Sequence, residues 1–221
     1  MPLELKHVDF GDGDELALLS ALGHVGSEFN KAVHPTRTYE EELAGSKERW
    51  PALYGYEAWH TLKVVDTATG KAVATSRWVL PPTLRTHLPA LTGVPEGMEL
   101  PPRKPPTTLD REFLGRLGDA LDPIQKKCIG DEISLLYLDS MVTLPEYRRQ
   151  GAASLMLKWA ADFADEHGIL STMDVCGDVT SICGKFGWED KGTAEVVSGA
   201  GTVLKFTVLV REPKKSSSEE A

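Results

Sequence analysis

The sequence predicts an α/β protein of the α+β kind, with a mixed, mostly antiparallel central sheet flanked by helices. Residues 60–65 and 72–80 are rich in β-branched and aromatic side chains and enclose a turn containing Gly70, a pattern typical of a hairpin. Residues 134–143 form an apolar strand pattern that leads through a short loop into an amphipathic helix beginning near Ala152. Strands on both sides of a helix, together with hairpins, favour a mixed sheet over an all-helical or all-β fold.

The remaining segments complete this picture of strands alternating with helices. Gly168 follows the amphipathic helix and is typical of a helix end. The other predicted elements are a strand at 3–8, a helix near 16–25, a helix at 39–49 that ends before Pro51, a strand at 169–175, a short helix at 179–186 and a closing hairpin from 195–197 and 202–211.

The chain is predicted to be one domain, residues 1–211, followed by a polar tail, residues 212–221, that we expect to be disordered. Nine of the 14 prolines lie between residues 81 and 130, which excludes a continuous strand there. Since strands precede and follow this stretch, we interpret it as an insertion that contains one short helix, Arg111–Leu121. Such an insertion is either a lid or binding loop, or a surface excursion without a role.

Composition limits the possible functions. The chain has 24 Lys and Arg against 33 Asp and Glu, a net charge of −9, which disfavours nucleic acid as a partner. No apolar run approaches the length of a membrane span. Three scattered cysteines favour a reducing compartment, so we expect a cytoplasmic protein. The six histidines form no zinc-site spacing, and no metal is expected.

The loop between the apolar strand and the amphipathic helix carries the most informative residues. Arg148 and Arg149 precede Gly151, Ala152 and Ala153. The first N–H groups of a helix have no partner within it, and small residues let a ligand approach the backbone closely. The sequence therefore predicts an anion site suited to a pyrophosphate.

This loop resembles the acyl-CoA-binding signature of the GNAT acetyltransferases. Val142, Pro145, Arg148, Gly151 and Ala153 match the strand, loop and helix start of that motif. Downstream, the run Gly184-Lys185-Phe186-Gly187-Trp188 resembles the Tyr-x-Lys-x-Gly-Phe ending of the family. Upstream, the strands through Arg77-Trp78 resemble fungal-type members, which often carry a long proline-containing insertion.

The resemblance implies acetyl transfer from acetyl-CoA to an amine. It places the donor's pyrophosphate on the loop and its pantetheine arm along the edge of the preceding strand. It also implies that this strand and the strand at 170–175 diverge to admit the acetyl group. The residues implied in donor binding are Met141, Val142, Thr143, Arg148, Arg149, Gln150, Gly151, Ala152, Ala153 and Ser154.

The family's catalytic positions are occupied differently in this sequence. Cys183 stands where many members have a tyrosine that protonates the leaving thiolate; it is either a substitute acid or a small buried apolar residue. Tyr137 stands where some members have a basic glutamate, and it is either catalytic or a packing residue. Asp139 shares the face of Tyr137 and is the better base, unless it forms a salt bridge with an arginine.

The predicted function is therefore transfer of an acetyl group from acetyl-CoA to the amine of a small molecule. Two alternatives stay open: a non-catalytic acyl-CoA-binding module, and a protein or peptide acetyltransferase. The long insertion favours a small acceptor, because a lid would exclude a polypeptide. We expect no nucleic acid and no membrane partner, and a monomer or a homodimer. One further alternative gives Trp59, His60 or Trp78 a place in the acceptor pocket, although core packing is their commoner role.

Overall fold

The central sheet has seven strands, and the predicted fold class is confirmed. A computed structural model describes residues 2–24, 26–104, 106, 108–130, 134–177 and 179–214. Of the strand pairs whose register is described, one is parallel and the others are antiparallel. The strands are β1 (Leu3–His7), β2 (Trp59–Asp66), β3 (Lys71–Val79), β4 (Leu135–Thr143), β5 (Leu170–Cys176), β6 (Glu189–Val197) and β7 (Val203–Arg211), in the order β1-β2-β3-β4-β5-β7-β6 with β4 parallel to β5.

Six helices accompany these strands in the described part of the chain. They are α1 (Gly13–His24), α2 (Glu28–Val33), α3 (Tyr39–Tyr54), α4 (Arg111–Ile129), α5 (Ala152–His167) and α6 (Thr180–Gly184). None of them has both the length and the apolar character that a bilayer-spanning helix needs.

The contacts divide the chain into two compact units, each with its own apolar cluster. The first unit comprises Met1–Gly26, Thr36–Thr107 and Asp139–Met156. It contains β1, β2, β3 and the end of β4, and its two clusters join the start of α5 and helix α1 to the sheet. They consist of Val64, Val73, Ala74, Ala152 and Met156, and of Leu19, Ala72 and Val142.

The second unit comprises Ser27–Pro35, Thr108–Leu138 and Leu157–Ala221. It contains the start of β4, then β5, β6 and β7, and α4 packs on this part of the sheet. Its cluster consists of Ala32, Val33, Phe113, Leu121, Val196, Leu204, Phe206, Val208 and Val210. The single domain 1–211 stays a prediction, and residues 215–221 of the predicted tail lie outside the described residues.

Two predicted helix ends are wrong, each at a proline. Helix α3 continues through Pro51 to Tyr54, and α4 continues past Leu121 and through Pro123 to Ile129. A proline inside a helix removes one hydrogen bond, but the remaining bonds and burial of the helix face can outweigh that loss. In α3 the helical pattern resumes at once, with the N–H of Gly55 donating to the carbonyl of Pro51 at 3.1 Å.

The proline-rich stretch therefore has two different parts. Its second part is α4, whose Phe113 is fully buried and whose Leu121 is 4 % exposed in the cluster of the second unit. Its first part is anchored within the first unit at Thr92. The hydroxyl of Tyr54 donates to the carbonyl of Thr92 and accepts from its N–H, both at 2.8 Å. The N–H of Phe10 donates to the same carbonyl at 3.0 Å.

Candidate functional site

The loop after β4 is anchored at its base. The N–H of Leu144 donates to the carbonyl of Val73 at 3.0 Å, which ties the end of β4 to β3. A single 3-10 turn, Pro145–Tyr147, follows. The hydroxyl of Tyr147 donates to the buried carboxylate of Asp66 at 3.3 Å. These contacts hold the start of the loop in one position against the β2–β3 hairpin.

The loop itself has the backbone geometry of an anion nest. Arg149 has φ 62° and Gly151 has φ 97°, so two left-handed residues lie in a run of three. A Cβ atom at Gly151 would meet nothing within 4 Å, so the space over the turn is open. The first bond of α5 runs from the N–H of Leu155 to the carbonyl of Gly151 at 3.1 Å. Successive N–H groups around a left-handed residue converge on one point, and such a concavity suits an anion.

The N–H groups at the start of α5 complete this nest. Those of Ala152, Ala153 and Ser154 have no protein acceptor in the described part of the chain. Helix α5 has 16 residues, and its aligned peptide dipoles favour negative charge at this end. Three free donors and a small-residue surface fit a pyrophosphate group of the size found in coenzyme A.

The loop's polar side chains are exposed and partly folded back on the loop. The Nε of Arg148 donates to the carbonyl of Thr143 at 3.4 Å, and Gln150 donates to the carbonyl of Glu146 at 2.7 Å. Arg149 is exposed as well. The guanidinium groups therefore remain at the surface, where they can pair with phosphate oxygens.

The strand before the loop is held by its side chains on both faces. Met141 packs against the cluster formed with the start of α5, and Val142 is buried against Leu19 and Ala72. The register of β4 with β5 pairs Leu135 through Leu138 with Leu170 through Met173 and is described no further than Leu138. Helix α1 also packs closely against Val142. A Cβ atom added to Gly23 of α1 would lie only 1.9 Å from Cγ1 of Val142.

A carboxylate that the sequence analysis did not name lies beside Tyr137 in the second unit. Asp174 is on β5, and its Oδ2 accepts from the hydroxyl of Tyr137 at 3.1 Å and from Nε2 of Gln125 at 2.8 Å. Its other oxygen, Oδ1, is buried and has no partner among the described residues. Since Tyr137 pairs with Thr172 in the β4–β5 register, Tyr137 and Asp174 are diagonal neighbours on one face.

The environment of Asp174 favours a carboxyl group that can exchange a proton. Burial raises its pKa above the ordinary value, although the hydrogen bonds from Gln125 and Tyr137 lower it in part. A raised carboxyl pKa brings the group closer to the pH at which it acts as a general base. The sequence carried a signal for it: Asp174 interrupts the otherwise buried run of Met173 and Val175.

Asp139, the predicted base, is paired with an arginine of the first unit. Arg77 donates to Asp139 Oδ2 from Nε at 2.7 Å, and its Nη2 lies 2.6 Å from the same oxygen. The guanidinium of Arg77 also lies 4.0 Å from the ring centroid of Trp59. Asp139 thus forms the salt bridge with an arginine that was the alternative to a role as base. Its partner is Arg77, whereas Tyr137 bonds to Asp174, so Tyr137 and Asp139 belong to separate clusters of side chains.

Cys183 has the surroundings of a packing residue. It is 3 % exposed, and its Sγ lies 3.6 Å from the sulfur of Met173. Burial raises the pKa of its thiol to about 11. These features favour the structural alternative stated for Cys183 over a role as acid. Among the described residues, no group of three His, Cys, Asp or Glu side chains is arranged to hold a metal ion.

Of the three aromatic residues considered for the acceptor pocket, Trp78 is fully buried and belongs to the core. His60 and Trp59 line a cavity of about 160 Å³ together with His7, Tyr54 and Leu91. Nδ1 of His7 lies 3.0 Å from Nε2 of His60. Burial lowers the pKa of both imidazoles, and the nearby ring of His7 adds to the effect on His60, whose pKa falls to about 3.

Residues 128–181, which contain β4, the loop, α5 and β5, match the Acetyltransferase (GNAT) family. No curated protein matches the sequence. The family match covers the loop and Asp174 but ends before Cys183.

Solved structures are similar over nearly the whole chain. The C-terminal condensation domain of Ebony, in complex with β-alanyl-dopamine, is 12% identical with a TM-score of 0.65, covering 96% of this chain and 99% of its own. A structure from Corynebacterium glutamicum, described as histone acetyltransferase HPA2 and related acetyltransferase, is 12% identical with a TM-score of 0.61, covering 98% and 99%. yncA from Salmonella typhimurium, with its cofactor acetyl-CoA, is 11% identical with a TM-score of 0.52, covering 99% and 98%. The chain therefore carries a domain with the GNAT acetyltransferase fold.

Proposed function

We propose that this protein is an acetyl-CoA-dependent N-acetyltransferase that acts on a small amine. The observation that carries the proposal is the nest at residues 148–154, with free N–H groups on Ala152, Ala153 and Ser154, inside the segment that matches the GNAT family. In this proposal the nest holds the donor's pyrophosphate, and Arg148 and Arg149 pair with phosphate oxygens. Met141, Val142 and Thr143 offer backbone groups to the pantetheine arm.

Acetyl transfer forms an N–C bond and breaks the thioester C–S bond, so the amine must lose a proton and the thiolate must gain one. We assign the first role to Asp174, whose carboxylate is ionised above its raised pKa. Tyr137 donates its hydroxyl hydrogen to Asp174 Oδ2 and so orients the carboxylate. Cys183 receives no role as acid, since a coenzyme A thiolate is a good leaving group and can take its proton from water after it departs.

The acceptor and the compartment are part of the same proposal. A net charge of −9 attracts a cationic amine, which favours an amine acceptor before any specific contact is considered. Three free cysteines suit the reducing cytoplasm. The two alternative functions are acetylation of a peptide and binding of acyl-CoA without catalysis. The experiments below distinguish both from the proposed function.

The first experiment measures coenzyme A binding to Gly151→Trp. We expect its Kd to rise by about tenfold or more, because the indole fills the open space over the nest. The matched control is Gly70→Trp, since Gly70 has φ 74° and open space around it but lies in the β2–β3 turn. Both variants carry the strain of a positive φ, so equal affinities in the two would remove the nest from the donor site.

The second experiment measures thiol release from acetyl-CoA across a panel of small amines and of peptides. Release with small amines alone supports the proposed function. Tight coenzyme A binding without release for any acceptor would make the protein a binding module, and release with peptides alone would make it a peptide acetyltransferase.

A further inference from the structure

A cavity of about 160 Å³ lies in the first unit, at one end of its strands. Its walls come from four parts of the chain: residues 7–9 around the end of β1, residues 53–54 of α3, residues 59–61 of β2 and residues 89–92 of the proline-rich stretch. All four belong to the same compact unit. The proline-rich stretch, for which a binding loop was one of the alternatives, therefore supplies one wall of a cavity.

This cavity is remote from the loop at 148–154. The loop starts beside the far end of β2, where Tyr147 bonds to Asp66, whereas the cavity lies at Trp59. An extended strand rises about 3.3 Å per residue, so β2 separates Trp59 from Asp66 by about 23 Å. Among the described residues that line the cavity, none is assigned to donor binding or proton transfer. The cavity is thus a second candidate site.

Aromatic rings form much of the cavity wall. Trp59, Tyr54 and the imidazoles of His7 and His60 come from three different elements. The hydroxyl of Tyr54 already donates to the main chain of Thr92 and accepts from it, so its ring is what remains for a ligand. The two imidazole centroids are 5.0 Å apart, with the ring planes tilted by 55°. Rings favour tilted and offset contacts with other rings, so a flat ligand suits this wall.

The size of the cavity suits a single ring. An apolar cavity of about 150 Å³ in another protein holds one benzene molecule. The volume of about 160 Å³ here is therefore enough for one six-membered ring with a small substituent. Leu91 lines the same cavity and is 56% exposed, so a ligand that covers it removes apolar surface from water.

The two histidines form an uncharged hydrogen-bonded pair. Burial lowers the pKa of both, that of His60 to about 3, so neither carries a charge at neutral pH. Nδ1 of His7 lies 3.0 Å from Nε2 of His60, and one hydrogen lies between them. Nε2 of His7 has no partner among the described residues, and it is a donor or an acceptor according to the tautomer. A hydroxyl group can donate and accept, so it can bond to this nitrogen in either tautomer.

Asp9 is the only charged side chain among the described residues that line the cavity. The N–H of Gly11, which donates to it at 2.9 Å, and the side chain of Thr92 lower its pKa, and Lys63 contributes. Because Lys63 is also paired with Asp12, a net negative charge remains, which repels an anionic ligand. A Cβ atom at Gly93 would overlap with the carboxylate of Asp9, so the main chain covers this group and limits its access to a cation.

We propose that this cavity binds a small uncharged aromatic molecule that carries one hydroxyl group. The ring packs against Trp59 and Tyr54, the hydroxyl bonds to Nε2 of His7, and Leu91 covers the outer edge. The first part of the proline-rich stretch thereby acts as a binding loop. This inference does not depend on the proposed function, because binding is measured on the full chain without acetyl-CoA.

The test compares 4-methylphenol with four compounds of similar size: toluene, 4-methylcyclohexanol, benzoate and benzylamine. NMR titration of the histidine ring signals gives both Kd and location. We expect 4-methylphenol to shift the signals of His7 and His60 and to leave that of His167, at the end of α5, unchanged. At about ten times its Kd, it should raise the Tm by about 2–4 °C.

The other four compounds test each part of the assignment. Toluene lacks the hydroxyl and 4-methylcyclohexanol lacks the flat ring, so each should bind about threefold or more weakly. Benzoate and benzylamine carry a charge and should bind about tenfold or more weakly. A charged compound that binds as tightly as 4-methylphenol would overturn the uncharged class, and equal binding of toluene would overturn the bond to His7.

Three variants test the location. Leu91→Asp should raise the Kd of 4-methylphenol by about tenfold, because the ligand would have to desolvate the new charge. Leu18→Asp is the matched control, since Leu18 is 42% exposed in the same unit but does not line the cavity. In His7→Leu the Kd of 4-methylphenol should rise to that of toluene. Equal affinities in Leu91→Asp and Leu18→Asp, or unmoved signals of both His7 and His60, would exclude this cavity as the site.

Discussion

Two aspartates in strand interiors, Asp139 and Asp174, differ in the partners that the fold gives them. Asp139 meets a guanidinium from β3, whereas the hydrogen bonds that Asp174 accepts from the described residues come from the neutral groups of Tyr137 and Gln125. A full positive partner stabilises a carboxylate as an ion pair, and neutral donors leave it able to exchange a proton. The second arrangement is the one expected of a general base.

The sequence predicted a donor site in the loop at 148–154 and named Asp139 as the better base, and it did not single out Asp174. The loop is recognisable because its residues are contiguous and its backbone geometry follows from Gly151 and the helix start. The acid–base assignment depends on partners that are distant in sequence: Arg77 is 62 residues from Asp139, and Gln125 is 49 from Asp174. The alternation of residues along a strand predicts which face of the sheet a side chain lies on. It does not predict which residue from another element will contact that side chain.

Asp174→Asn tests this assignment. We expect kcat to fall by about 100-fold or more, because the amide cannot accept the amine proton. Coenzyme A affinity should stay the same, and the rise of activity through the raised carboxyl pKa should disappear from the pH profile of the variant. Asp139→Asn is the control, with little expected change in kcat; the reverse pattern would return the role of base to Asp139.

Among the elements, helices and strands were predicted better in position than in length. Both hairpins and the unit of β4, loop, α5 and β5 lie where the sequence placed them. The prediction ended α3 before Pro51 and α4 at Leu121, whereas each helix continues through its proline for a further turn or more. Tertiary packing, such as that of Phe113 and Leu121 of α4, outweighs the local preference and cannot be read from a single segment.

The approach of α1 to β4 supplies a prediction at the level of elements. Gly23→Ala should destabilise the protein by about 1–3 kcal/mol, because the new methyl group overlaps with Val142 on a packed strand. Gly115→Ala in α4 is the matched change, since its Cβ meets nothing within 4 Å, and it should stabilise by about 0.5–1 kcal/mol. Urea unfolding measures both, and a neutral Gly23→Ala would show that α1 can move away from β4.

At the scale of the whole molecule, the paired imidazoles of His7 and His60 make stability depend on pH. In the folded state the pKa of His60 is about 3, and in the unfolded chain it has the ordinary value near 6.5. Between these values the unfolded chain binds a proton that the folded protein does not. The stabilisation is therefore complete above about pH 6.5 and decreases as the pH falls toward 3.

Unfolding free energies at pH 7.5, 6 and 5 check this sign. The wild-type protein should lose up to about 1.4 kcal/mol per pH unit below pH 6.5 on account of His60. In His60→Gln this part of the slope should vanish, while His87→Gln, at an exposed position, should keep it. A wild-type stability that stays flat from pH 7.5 to 5, or an unchanged slope in His60→Gln, would contradict the effect.

The anchoring of Thr92 has a consequence for how this chain can vary. Its contacts use the main-chain N–H and carbonyl, so they do not depend on the identity of the side chain at position 92. The anchor divides the connection between β3 and α4 into two shorter loops, each closed at its own entropic cost, which grows only with the logarithm of its length. Insertions and deletions on one side of Thr92 are thereby uncoupled from those on the other. Tyr54, which supplies two of the three hydrogen bonds, is the residue whose replacement would merge the two loops into one.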